Sequence, residues 1–119
     1  MAVAKRIANK IARAFVQKAE PFQGSNMFGE LDHVEEWEGV RLNDDGTFSD
    51  LTPYVVYSYG RHFPMFIHLK GVWYENSDKY SVSTSKHQSQ SHPMMDTVKL
   101  NTEDMKRLLR KNTQERINQ

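Results

Sequence analysis

The chain has 119 residues, of which 38% are hydrophobic and 26% charged, and its formal net charge is +1 with neutral histidines. The absence of cysteine excludes disulfides, thiolate zinc sites and a cysteine nucleophile, and no apolar run approaches the roughly 18 residues that cross a bilayer. Six Phe, five Tyr and two Trp argue against wholesale disorder, so one small domain spanning residues 1–119, with an aromatic-weighted core, is expected.

Charge is sorted along the chain. Residues 1–19 carry Lys5, Arg6, Lys10, Arg13 and Lys18 and no acid. Residues 20–50 carry Glu20, Glu30, Asp32, Glu35, Glu36, Glu38, Asp44, Asp45 and Asp50 against Arg41 alone. Such asymmetry points either to neutralisation within the molecule or to a polyanion at the basic end.

In chain order, "MAVAKRIANKIARAFVQKA" predicts an N-terminal basic amphipathic helix over 1–19. Val3, Ile7, Ile11 and Phe15 recur at helical spacing. Because a free helix of this length is marginal in water, Ile7, Ile11 and Phe15 are expected to be buried against the sheet or a second subunit. Pro21 and Gly24 end the helix. "GVRL" and "GTFSDL" read as brief strands, with Asp45-Gly46 closing a hairpin. Tyr54 to Tyr59 and Phe63 to Leu69 are β-branched and aromatic strands, and Pro64 confines its segment to an edge or a strand start. Lys70-Gly71 turns the chain into Val72-Trp73-Tyr74. A second turn at Asn76-Ser77-Asp78 leads into an expected strand from Lys79 to Thr84.

The polar run "STSKHQSQSHP" follows, with nothing apolar to enter a core, and reads as a connection. Asp96 to Leu100 is a possible last strand. Asn101 caps a short C-terminal helix over 101–113, with Glu103 and Asp104 in its first turn and Leu100 stapled to Met105. The fold class expected is α+β, a small antiparallel sheet over residues 40–100 flanked by the two helices.

Residue types rather than motifs carry the chemistry. His33, His62, His68, His87 and His92 show no zinc-ligand spacing, so no metal and no cofactor is assigned. Lys86 with His87 or His92 has the residue types of an acid–base pair for metal-independent phosphodiester cleavage, but no catalytic residue follows from type alone. Ser, Thr, Lys, His and Gln all hydrogen-bond to phosphate or base edges, and rings beside them offer stacking surfaces. Arg61, Lys79, Lys86, His87, Gln88 and His92, with Tyr80 and Trp73, are therefore the candidate nucleic-acid-binding residues. Ser85 to His92 are expected to face one concave site beside Tyr80 and Trp73.

Residues 57–93 carry "YG" before "HFP", "WYEN" leading to "DKYS", and "TSKHQSQ". This segment resembles a small domain of unknown function found in phage and other mobile-element proteins. The resemblance implies a viral origin and an antiparallel core, and supplies no activity.

The expectation is a small phage-type accessory protein that binds nucleic acid. The alternative is a non-enzymatic inhibitor that grips a host defence or transcription factor through Glu35, Glu36 and Glu38, and a metal-independent nuclease comes third. A basic N-terminus without an apolar signal-peptide core predicts a cytoplasmic protein, of the host cell if phage-encoded, with no membrane partner. The small number of aliphatic residues favours a homodimer.

Overall fold

The computed structural model describes residues 4–31 and 52–117. Their elements run β1 (Lys5–Arg6), a 3-10 turn (Asn9–Ile11), α1 (Ala12–Gln17), β2 (Phe22–Gln23), β3 (Met27–Leu31), β4 (Tyr54–Ser58), β5 (Pro64–Leu69), β6 (Val72–Asn76), α2 (Val82–Ser91), β7 (Thr97–Leu100) and α3 (Thr102–Ile117). The strands lie in one sheet in chain order from β1 to β7. The α+β class stands, but the sheet is neither small nor antiparallel throughout. Strands β2 to β6 pair antiparallel, while β1 with β2 and β6 with β7 pair parallel. A parallel neighbour needs a crossover longer than a hairpin. Here α1 makes the first crossover and α2 the second.

The tight hairpin expected at Lys70-Gly71 joins β5 to β6, with both residues at positive φ (52° and 79°), as a two-residue hairpin turn demands. Gly29 serves a different need. A Cβ there would collide with the Tyr54 hydroxyl and come 2.7 Å from Phe22 Cε1, so β3 can lie under those rings only as glycine.

Helices cover both faces. On one face Ala12, Val16, Phe22, Met27, Tyr54, Val56, Phe63, Met65, Phe66 and Trp73 form a core beneath α1 and α2. On the other, Met105 of α3 packs with Val55, Tyr57, Ile67 and Leu69, and Leu100, Leu108 and Leu109 close around them. Asn101 Oδ1 accepts the Asp104 N–H at 2.8 Å, which is the expected cap, and α3 runs on to Ile117 rather than ending near 113.

Two sequence expectations are corrected at the N-terminus. No long basic helix forms: residues 5–6 are a strand, and the α-helix begins only at Ala12. The Ile7–Ile11–Phe15 stripe is not the buried face. Ala12 and Val16 are fully buried, Ile7 and Phe15 are half-buried, and Ile11 is 47% exposed. Starting the helix at Ala12 makes its inward positions the i, i+4 pair Ala12 and Val16.

The third correction is the largest. Lys79 to Thr84 is not a strand and the polar run is not a loop: Val82–Ser91 is a helix. Ser81 caps it by accepting the Thr84 N–H at 3.1 Å. Its inward face, Thr84, His87 and Ser91 at i, i+3 and i+7, is polar and buried. An apolar-periodicity reading does not register such a face. The Asp45-Gly46 hairpin with its two brief strands lies outside the described residues, as do His33, Glu35, Glu36 and Glu38.

Candidate functional site

The site grows from the end of β4. Ser58 is fully buried, and its Oγ lies 2.8 Å from His87 Nδ1 and 3.1 Å from Thr84 Oγ1. Ser81 Oγ donates to Thr84 Oγ1 at 3.1 Å. Thr84's own proton can then go to Ser58, and Ser58's to the imidazole. In that arrangement Nδ1 accepts and the neutral ring carries its proton on Nε2. Burial pushes the His87 pKa below the ordinary histidine value, and the Lys86 charge pushes it the same way, so the ring is neutral at pH 7. His87 is 7% exposed.

Past Ser58 the backbone turns sharply. Tyr59 has φ +59°, a left-handed conformation that costs an L residue about 1–2 kcal/mol. Its N–H donates to the Asn26 carbonyl at 2.8 Å, and Asn26 is itself left-handed at φ +57°. Asn9 ties in the N-terminal turn, with Oδ1 accepting the Ser25 N–H at 2.8 Å and Nδ2 donating to the Ser25 carbonyl at 3.0 Å. Tyr59 is 41% exposed and its ring leans on the His87 ring, with centroids 5.5 Å apart.

These pieces bound an open cleft of about 540 Å³. The 3-10 turn supplies Lys10, the β2–β3 turn Asn26, the bend after β4 Tyr59, and one face of α2 Lys86, His87 and Gln90. Its lining includes no carboxylate among the described residues. Among the described residues Gln90 Oε1 is buried without a hydrogen-bond partner. The arrangement can place ammonium groups against an anion, offer a ring face for stacking and present hydrogen-bonding groups between them. Ser58 is too deeply buried to act as a nucleophile. Among the described residues no group of three His, Asp or Glu is placed to hold a metal ion.

The candidate residues named from the sequence divide. Lys86 and His87 line the cleft. Gln88 does not: its Nε2 donates to the Asn76 carbonyl at 2.9 Å and pins α2 to the end of β6. Trp73 is core, edge-on to Tyr54 at 6.2 Å and packed on His68 at 4.8 Å. Tyr80 is 57% exposed but lies over Phe63 and His62. Lys79 is exposed in the connection before α2. His92 accepts the Met94 N–H on Nδ1 at 2.9 Å, and its Nε2 lies 3.3 Å from Glu75. Arg61 forks onto both oxygens of Glu30 at 2.6 and 2.8 Å and lies over Phe28, which packs with the cluster on the α3 side of the sheet.

The expected concave site beside Tyr80 and Trp73 is thus replaced by one beside Tyr59. Nothing in the sequence joins Lys10 or Asn26 to Lys86, because only the fold brings the two turns under α2. Arg13, a member of the basic N-terminal segment, is absorbed internally. Its Nε donates to the His92 carbonyl at 2.8 Å and its Nη2 to the Ser89 carbonyl at 2.7 Å, while Gln17 Nε2 donates to the Pro93 carbonyl at 3.0 Å. No described helix is long and apolar enough to cross a membrane. Comparison with protein-family models, with curated proteins and with solved structures finds no match to this chain.

Proposed function

We propose that this is a small nucleic-acid-binding protein of the accessory type and that the cleft under α2 is its binding surface. One observation carries the reading. Lys10 and Lys86, from distant parts of the chain, line one cleft that has no carboxylate among its described lining residues, beside an exposed aromatic ring. Lysines held in this way neutralise phosphates and release counterions, the main source of sequence-independent affinity for nucleic acid. Amide, hydroxyl and imidazole groups around them are the groups that contact phosphate and base edges. The phage character of the reading rests on the resemblance carried by residues 57–93.

The test is a titration of labelled DNA and RNA at salt concentrations from about 50 to 200 mM. Lys10→Ala and Lys86→Ala should each weaken binding to every sequence and lower the slope of log K against log salt by about one unit. Arg61→Ala, on the α3 side of the sheet, should leave that slope unchanged. No binding of either nucleic acid, or an unaltered slope in the double lysine variant, defeats the reading. A host protein then retrieved from nuclease-treated lysate would favour the inhibitor instead.

A further inference from the structure

We infer that the ligand of this cleft is a single-stranded segment, DNA or RNA, with one unpaired base laid on the Tyr59 ring and its edge contacted by His87 and Gln90. The inference rests on the reading of the cleft as the nucleic-acid site and adds which form of nucleic acid it takes.

Three observations lead there. The first is the cost accepted at Tyr59. A tyrosine occupies a left-handed position immediately before Gly60, where glycine would fit without strain. Its ring is not spent on the core, since Tyr59 stands 41% exposed at the cleft. Strained non-glycine residues of this kind cluster at ligand sites, where the surrounding structure holds them. Here the holding contacts are the hydrogen bond to Asn26 and the packing on His87.

The second observation is a pair of hydrogen-bonding groups that a bare polyanion would not satisfy. With protons relayed from Ser81 through Thr84 to Ser58 and on to Nδ1, His87 presents a donor at Nε2, a nitrogen with no partner among the described residues. Gln90, which lines the cleft, has an Oε1 acceptor buried without a donor among the described residues. A phosphate supplies acceptors only. The Watson–Crick edge of an unpaired base supplies a donor and an acceptor side by side, on all the common bases.

The third is the ring itself. In a duplex the base faces are stacked on one another, whereas an unpaired base has a free face, and stacking on an aromatic side chain tolerates any base. Lys10 and Lys86 then take the phosphates of the same segment.

The experiment compares, by fluorescence anisotropy, short single-stranded DNA and RNA, a duplex of the same length, and a DNA strand whose sugars carry no bases. The expected result is single-stranded binding about five- to a hundredfold tighter than binding to the base-free strand, with the duplex also weaker. Tyr59→Phe should keep that advantage. Tyr59→Gly should abolish it while leaving the urea midpoint equal or higher, because glycine relieves the backbone strain; a merely structural tyrosine would lose stability instead. Equal binding of single strand and duplex, or a Tyr59→Gly variant that binds as tightly as the parent, overturns this inference yet leaves the lysine-dependent reading standing. If none of the probes binds, both fall together. The DNA and RNA arms decide which sugar the site accepts.

Discussion

Ser58 shows what one hydroxyl does when two groups depend on it. It sits where β4 meets α2, fully buried, and serves Thr84 and His87 together. Removing it would leave Thr84 Oγ1 without one partner and His87 Nδ1 without any, both away from bulk water. A buried polar atom stripped of its partner costs about 1–3 kcal/mol. Ser58→Ala should therefore lower stability by about that amount, read as a shift of the urea midpoint with an unchanged slope. An effect near zero would mean that water replaces the hydroxyl and that the relay does not set the imidazole tautomer. Position matters more than residue type here: Ser77, exposed on a turn, makes a hydrogen bond that solvent can replace.

At the scale of elements, α2 is a helix without an apolar face, held by hydrogen bonds at both ends. Ser81 closes its N-terminus, Gln88 fastens its middle to Asn76, and Arg13 reaches across from α1 to two carbonyls at its C-terminal end. A guanidinium there meets unpaired carbonyls and the negative end of the helix dipole at once. Arg13→Ala should cost about 1.5–3 kcal/mol, the range for hydrogen bonds to a charged group. Arg13→Lys should recover only part of it, since one ammonium cannot span both carbonyls with a planar fork. Amide hydrogen exchange should show the loss concentrated at Ser89 to Ser91, and uniform loss over the whole chain would count against this joint.

For the whole molecule the consequence is a stability that falls on acidification in two stages. Burial pushes His68 and His87 below the ordinary histidine value of 6.5, and the Lys86 charge adds to the shift at His87. Below about pH 6.5 the unfolded chain binds these protons more readily than the folded one, so stability drops as pH falls through that value. Glu75 adds a second stage. Its burial acts to raise the pKa, but hydrogen bonds from Thr97 and Lys99 and the charges of Lys99 and His92 outweigh it, so the net shift is downward from 4.5. Asp78 is shifted downward as well, by the backbone and side-chain hydrogen bonds of Thr102. The stability these carboxylates contribute is present above their ordinary values and is lost as pH falls through the carboxylate range. Urea midpoints measured from pH 8 to pH 4 should decline first below about 6.5 and again near 4.5. A His68→Gln, His87→Gln double variant should flatten the first stage and keep the second. A first stage of undiminished slope in that variant would exclude both histidines as its source.

Local signals carried several elements into view from residue order alone. Tyr54 to Ser58 and Pro64 to Leu69 are legible because β-branched and aromatic residues fill them, and Lys70-Gly71 because a two-residue turn needs positive φ. Asn101 and the Leu100–Met105 contact mark the start of α3, since caps and staples act over one helical turn. Of the cleft under α2, Lys86 and His87 are legible as residue types suited to nucleic acid, though not their surroundings. What only tertiary structure decided is whatever depends on contacts distant in the chain. α2 buries serine, threonine and histidine, which look solvated until Ser58 of β4 arrives to pair with two of them. The strands at Lys5 and Phe22 are too short to read and exist because β3 offers an edge to pair with. Lys10, Asn26, Tyr59 and Gln90 form one surface because two crossover helices pack on the same face of the sheet and draw the N-terminal turn beneath α2. Side-chain pattern reports what a segment can bury or expose. Which polar groups satisfy one another is settled only when the chain has closed.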